Sequence, residues 1–571
     1  MNEIEKVLSE SKFTQHGHLP AVAAYCRSLG LIEMVNEMAP TKMLINTGEV
    51  VQVMVLDTLS GRSPLYRLNE FMESQDIELL LGRDIPAAAF SDSNIGRSMD
   101  VLHKAGPSKI ITELGQRAVS RFDLNGKYIS YDTTSVNVWG EYNSDDSPTD
   151  GLNITYGYSK DKRPDLKQFM IELLCVEGGI PICGKTLNGN SSDKKSNNEM
   201  LTKISSIMAA NGLGKGAFTY VADSAMITKD NLEELCGNQF VSRLPANYNE
   251  CNAAIEAAVD ANKWVNIGVL SEATHSDDKK PAANYKCQEG EVVLHEKAYR
   301  AIIIHSSALD KRRLGKLERN VKSSSSQIQT SLKKQISKFE CEKDAEVMSK
   351  KMESMNTKLH NIKTKIKAVT IRKRGRTAEG KEPSTQTSYQ VSWSTELNKD
   401  EYARLEKIAG CFVLITNIAK AEDLDSTAPE ILKIYKGQHR VERDFSFLKD
   451  PLIVNDTFLK MPSRIEVLGM VLIISLMIWR LMERSMRVYL KNNDVTIPGW
   501  DNKKTKTPTS FMMSTKVRLI IVIRTSENIR YIQKKPSTIA CEYLKALGLD
   551  QSIFTDPKSV CTKIIPIKST F

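Results

Sequence analysis

The sequence predicts an α/β protein: a mixed sheet with flanking helices, interrupted by a large insertion and carried between helical N- and C-terminal regions. Three observations carry that reading. Near residue 127 the apolar pattern switches from helical spacing to the alternation KYISYDTTSVNVW. Strand character returns far downstream in GCFVLITNI, residues 410–418, and a helix-start signature follows it. Between them lies a polar, lysine-rich stretch without the apolar density of a core. The 571 residues, 41% hydrophobic and 26% charged, suffice for several structural units and argue against wholesale disorder.

Residues 1–122 read as a helical region, with periodic stretches such as LPAVAAYCRSLGLIEMVNEM and GEVVQVMVLDTLSG and no nucleotide or metal motif. Residues 123–245 then supply strands. KYISYDTTSVNVW, rich in Tyr, Ile, Val and Thr, is the first. QFMIELLCV and IPICGKTL follow, joined by the hairpin signal Glu177-Gly178-Gly179. EMLTKISSIMAAN has helical spacing, AFTYVAD is a short strand ending in Asp223, KDNLEELCG is a helix and NQFVSRL a strand. Three strands, a helix, a fourth strand and a further helix match the order of a ribonuclease-H-like fold. In that fold the first and fourth strands are neighbours. Asp132 and Asp223, 91 residues apart, are therefore expected to meet.

Residues 246–405 form the insertion, in which regular order is lost; its segment 311–376 holds 20 Lys and Arg against 6 Asp and Glu. That stretch reads as one or two long polar helices with a solvated face. Residues 406–455 close the core. Ser426 and Thr427 with Pro429 and Glu430 start a helix, EILKIYKGQHRVERDFSFLKD. Residues 456–571 read as helical and basic. Their apolar run from Val467 to Trp479 is shorter than the ~20 residues that span a bilayer, which makes it a buried helix.

The net charge of +10 leans towards a polyanionic partner, and its excess is concentrated in 311–376, the remainder of the chain being slightly acidic. Ten cysteines occur singly, with no Cys-x-x-Cys pair, and the start MNEIEKVLSE has no apolar signal core. Both point to a cytoplasmic, nucleoid-associated protein. The His-Gly-His pair at His16 and His18 has no companion acid or Cys cluster, which argues against zinc.

The chemistry concentrates on the predicted helix after residue 430. Tyr435, Gln438, Glu442 and Lys449 are spaced by three, four and seven residues, and at about 100° per residue they share a stripe of roughly 60°. If this helix packs beside Asp132 and Asp223, three carboxylates converge. They would repel one another unless hard divalent cations sat between them. Singly, each acid is ordinary: a strand Asp faces solvent, an Asp after a strand caps the next helix, and a helical Glu lies on a surface.

Together, in the order Asp132 of YDTTSV, Asp223 of VADSAM and Glu442 of IYKGQHRVERDFSFLKDPL, they resemble the catalytic triad of DDE transposases of prokaryotic insertion sequences. The branch is the insertion-sequence-four-like one, whose third acid lies in Tyr-x2-Arg-x3-Glu-x6-Lys. Here Gln438 stands for the Arg, so a charged phosphate contact becomes a neutral one. GYSKDKRPDLKQF, residues 157–169, also resembles the segment after the first Asp of that family. The resemblance covers residues 125–480 and, more loosely, the N-terminus. It implies that Asp132, Asp223 and Glu442 ligate two Mg²⁺ or Mn²⁺ ions. Tyr435, Gln438 and Lys449 would contact phosphates, as would Lys160, Lys162, Arg163 and Lys167. The 219 residues between Asp223 and Glu442 match the large insertion of the branch. The expected activity is cleavage of the element's terminal inverted repeats and joining of 3′-ends to target DNA, by a homodimer on double-stranded DNA. A metal-dependent nuclease without strand transfer and a non-catalytic DNA-binding protein are the competing expectations.

Overall fold

The computed structural model describes residues 11–61, 63–142, 151–161, 163–177, 179–192, 198–201, 218–235, 237–270, 282–372, 385–420, 427–449 and 459–562, with side chains for all of these but 372 and 439–443. It is a mixed α/β structure in two units. One comprises Met1–Ser242 with Lys433–Phe571 and the other Arg243–Leu432. The helical ends of the chain thus belong to the unit that carries the first strands. Most of the predicted helix EMLTKISSIMAAN lies outside the described residues, of which 198–201 are helical.

The first unit begins with the short strand β1 (Lys12–Thr14) and helices including Leu19–Leu29, Thr47–Leu59, Asp92–Ala105 and Pro107–Phe122. Its sheet is built from β2 (Tyr128–Val138), β3 (Lys167–Val176), β4 (Ile180–Leu187), β5 (Thr219–Ala222) and β6 (Gln239–Arg243), in the order β4-β3-β2-β5-β6. Antiparallel pairs join β2 to β3 and β3 to β4, and parallel pairs join β2 to β5 and β5 to β6. β3 is buried on both faces, with Gln168 and Glu172 its buried polar residues, as a strand between two covering layers must be.

The cover over β4 comes from two helices, Pro107–Phe122 and Pro462–Asn493. Both approach through glycine: a Cβ on Gly115 would lie 2.1 Å from the Ile182 carbonyl oxygen, and one on Gly469 2.4 Å from the Thr186 methyl. Pro462–Asn493 contains the predicted apolar run and packs on four N-terminal helices besides β4. Among the described residues it is the one helix long and apolar enough to cross a membrane, and 89% of its most apolar stretch is buried inside the protein.

The chain ends interlock around a buried ion cluster. β1 pairs with Val522–Arg524, which pairs in turn with Arg530–Ile532. Asp76, fully buried, accepts from Arg530 at 2.7 and 2.9 Å, and Arg530 also donates to Glu78 at 2.7 Å. Burial works to raise the Asp76 carboxyl, but its bonds to Arg530 and to the Leu79 amide hold it below the ordinary carboxylate value.

The second unit is more regular than its sequence suggests. Helix Asn249–Ala261 is followed by β7 (Val265–Val269), β8 (Asn284–Leu294) and β9 (Lys297–Ser306), which form an antiparallel ladder with the late strand β13 (Cys411–Thr416) in the order β13-β9-β8-β7. After helix Ser307–Lys333 come β10 (Lys338–Phe339), helix Glu342–Glu353, β11 (His360–Arg372) and β12 (Thr385–Leu397), the strands pairing as β10-β12-β11. The expectation of helices throughout 311–376 is therefore corrected: the helices end at Glu353 and a thirteen-residue strand follows. Lysines at 363, 365 and 367 read as a charge run, yet they alternate with Ile362, Thr364 and Ile366, which is the period of a strand. What selects the strand is a small core, Ile328, Leu332, Ala345, Met352, Ile362 and Val391, that neither helix can close alone.

Candidate active site

Asp132 sits within β2, and Asp223 follows the last residue of β5 in extended conformation. The two strands are parallel, with Tyr128 opposite Thr219 and Ser130 opposite Val221. Two residues further, Asp132 and Asp223 are level on neighbouring strands and on the same face, at a strand spacing of about 4.8 Å. Asp223 also caps the turn Ser224–Met226, its carboxylate accepting from the Ala225 amide at 2.9 Å. The capping role that its sequence position suggests is thus present together with the alignment.

Beneath these acids the sheet is buried. Tyr220 is fully buried, and burial, then the charges of Asp223, Glu172 and Asp132, raise its hydroxyl well above its ordinary value. Tyr131, on the opposite face of β2, donates to Glu172 at 2.8 Å.

The third predicted acid lies in helix His439–Leu448, which packs on β2 and on Pro462–Asn493. The Glu442 side chain lies outside the described residues. Among the described residues, no group of three or more His, Cys, Asp or Glu is placed to hold a metal. The helix is anchored by Asp444, fully buried, which accepts from Arg480 at 2.5 Å, and by buried Phe445, Phe447 and Leu448. Asp444 was not singled out by the sequence; a charged residue amid three apolar ones was the available signal.

The predicted single helix is instead two, Ala428–Gly437 and His439–Leu448, with Gln438 between them. Gly437 weakens helix propensity there, and the Gln438 amide bonds back only three residues, to the Tyr435 carbonyl at 3.1 Å. Tyr435 is half-buried at the end of the first helix, Gln438 is buried at the junction and Lys449 is the C-cap of the second. Gln438 itself keeps helical dihedrals, φ −60° and ψ −29°.

The predicted phosphate contacts are engaged within the protein. Lys160 donates to the Thr133 carbonyl at 2.6 Å and lies 3.9 Å from Asp132. Its neighbour Asp161 accepts from Lys449 at 2.7 Å. The loop after β2 therefore ties the Asp132 strand to the end of the Glu442 helix, a link sequence reasoning missed because it joins residues 288 apart. Arg163 pairs with Asp165 at 2.7 Å and lies over Trp139, while Lys167 donates to the Glu141 and Tyr142 carbonyls and faces the Tyr156 ring. Lys162 lies outside the described residues.

Residues 11–116 match a family described as "Domain of unknown function (DUF4277)". That match covers the N-terminal helices and stops short of the sheet. No curated protein matches the chain.

Proposed function

We propose that this chain is a DDE transposase with a ribonuclease-H-like core, which cleaves the ends of its own element and transfers the 3′-ends to target DNA. The observation that carries the reading is the register of two carboxylates, Asp132 and Asp223, on adjacent parallel strands of a sheet ordered β4-β3-β2-β5-β6. The packing of the Glu442 helix on β2 supports it, as does the Lys449–Asp161 bond that fixes the end of that helix near the loop after β2.

Carboxylate oxygens on one sheet face suit hard divalent cations, and Asp132, Asp223 and Glu442 would hold two Mg²⁺ or Mn²⁺. Such ions supply an activated water or 3′-hydroxyl and stabilise the leaving oxygen of a phosphodiester. The chain's own residues supply position. Lys160 offsets the charge of Asp132, and Tyr435 and Lys449 would contact the DNA phosphates. Gln438, buried at the helix junction, would offer at most a neutral hydrogen bond to a phosphate. Two DNA ends would require two copies of the chain.

Mg²⁺-dependent nicking of DNA carrying the element's boundaries tests this reading, comparing the native chain with Asp132→Asn, Asp223→Asn and Glu442→Gln. Loss of cleavage in all three with end binding retained is the expected result; robust cleavage by any one sinks it. Hydrolysis without joined products would leave a nuclease, and binding without any metal-dependent product would leave a non-catalytic DNA-binding protein.

A further inference from the structure

The second unit has a sheet with one covered and one open face. Phe339, Ile362, Ile366, Tyr389, Val391 and Trp393 turn to the core shared with helices Ser307–Lys333 and Glu342–Glu353. Because strand side chains alternate, the residues between them belong to the other face. On β12 these are Gln386, Ser388, Gln390, Ser392, Ser394 and Glu396, a run with no apolar side chain. Opposite them on β11 stand Lys363, Lys365 and Lys367, with Val369 and Ile371 beyond them, and β10 adds Lys338, which the acid Glu340 follows beside Gln386.

The register sets the spacing. Gln390 pairs with Lys367 on one side and Lys338 on the other, so these lysines flank it at about 4.8 Å per strand step. Lys365 and Lys367 follow each other along β11 at about 6.7 Å. That interval is close to two base-pair steps of 3.4 Å along one strand of a duplex. Lys363 is neutralised by Glu396 at 2.6 Å. Lys338, Lys365 and Lys367 are exposed, and among the described residues none is paired with a carboxylate. Ser388 and Ser392 donate to the Val369 and Lys365 carbonyls at 3.3 and 3.1 Å and Gln386 to Glu340 at 3.2 Å, so the neutral donor beside the lysines is Gln390, of the kind that completes phosphate contacts.

We propose that this open face is a docking surface for the phosphate backbone of duplex DNA, with Lys338, Lys365 and Lys367 as its cationic row. The choice of DNA rests on the transposase reading above; the polyanionic character of the partner rests on charge complementarity alone. Contacts of this type position a duplex and carry no sequence information.

The test uses the full chain and an arbitrary-sequence duplex, with affinity measured by fluorescence anisotropy over a salt series. The variant Lys365→Gln/Lys367→Gln is compared with Lys399→Gln/Lys407→Gln, which removes two exposed charges elsewhere in the same unit. The expected result is an affinity loss of about tenfold at about 0.1 M salt and a fall of about two in the slope of log affinity against log salt, in the first variant only. Equal effects of the two variants, or an unchanged slope, overturn the proposal. Native thermal melting of both variants shows that the comparison is between folded proteins. Cleavage is scored on the same native preparation. Cleavage with no slope change sinks this surface and leaves the transposase reading intact, whereas a slope change without cleavage does the reverse.

Discussion

At the residue scale, charged groups only a few positions apart play different parts. Glu442 is the proposed metal ligand, whereas Asp444 is fully buried against Arg480. Removing one partner of a buried pair leaves an uncompensated charge, so Asp444→Ala should lower stability by about 3–5 kcal/mol, read from the midpoint of chemical unfolding. A change below about 1 kcal/mol would show that the pair is not buried in solution. His16 gives a pH prediction. Its Nδ1 faces the Gln75 side-chain oxygen at 2.8 Å, an acceptor only, so Nδ1 carries the proton and Nε2 accepts from the Thr14 hydroxyl at 2.8 Å. Burial pushes the imidazole below its ordinary value of 6.5, and His18 is shifted the same way. A lowered folded value means that the unfolded chain takes up protons first. The stability held in full above about pH 6.5 is then lost as pH falls from there towards the folded value. Unfolding midpoints at pH 7.5 and 5.5 should differ more for the native chain than for His16→Gln; equal differences would refute the assignment.

At the element scale, close approach between layers depends on missing side chains. Gly115→Ala should destabilise by about 1–3 kcal/mol, because the new Cβ meets backbone at 2.1 Å and the helix must move off β4. Gly315, in the polar helix Ser307–Lys333, has nothing within 4 Å of a built Cβ. Gly315→Ala should therefore stabilise by about 0.5–1 kcal/mol through helix propensity alone. Thermal melts of the two variants should move in opposite directions, and a shift of the same sign would show that the approach to β4 is not as tight as described.

At the scale of the whole molecule, the first unit is closed by its own ends. The segment matching the domain of unknown function shares a sheet with residues 522–532, and its Asp76 finds its guanidinium on Arg530. Residues 11–122 expressed alone would expose the helix faces that Pro462–Asn493 covers and leave Asp76 unpaired. They should associate or fail to give cooperative melting, whereas addition of the C-terminal segment in trans should restore it. A monomeric, cooperatively folding fragment would contradict this account. Arg530→Ala in the full chain should make the C-terminal segment the first site of limited proteolysis, since breaking that buried pair frees both chain ends.

The sequence by itself determined the elements of the first unit's sheet and their order. Alternation in 128–138, continuous apolar character in 167–176 and the glycine hairpin after Val176 mark the strands β2 to β4 because these signals are local. The same local order singled out Asp132, Asp223 and Glu442. That β2 and β5 are neighbours was expected from the order of elements, whereas tertiary structure alone decided the register that puts the two aspartates level. It also turned a lysine run into a strand through the core around Ile362 and Val391, and tied Lys449 to Asp161. Each of these depends on a partner far away in the chain, and no residue's own propensity or spacing encodes which distant partner will bury it.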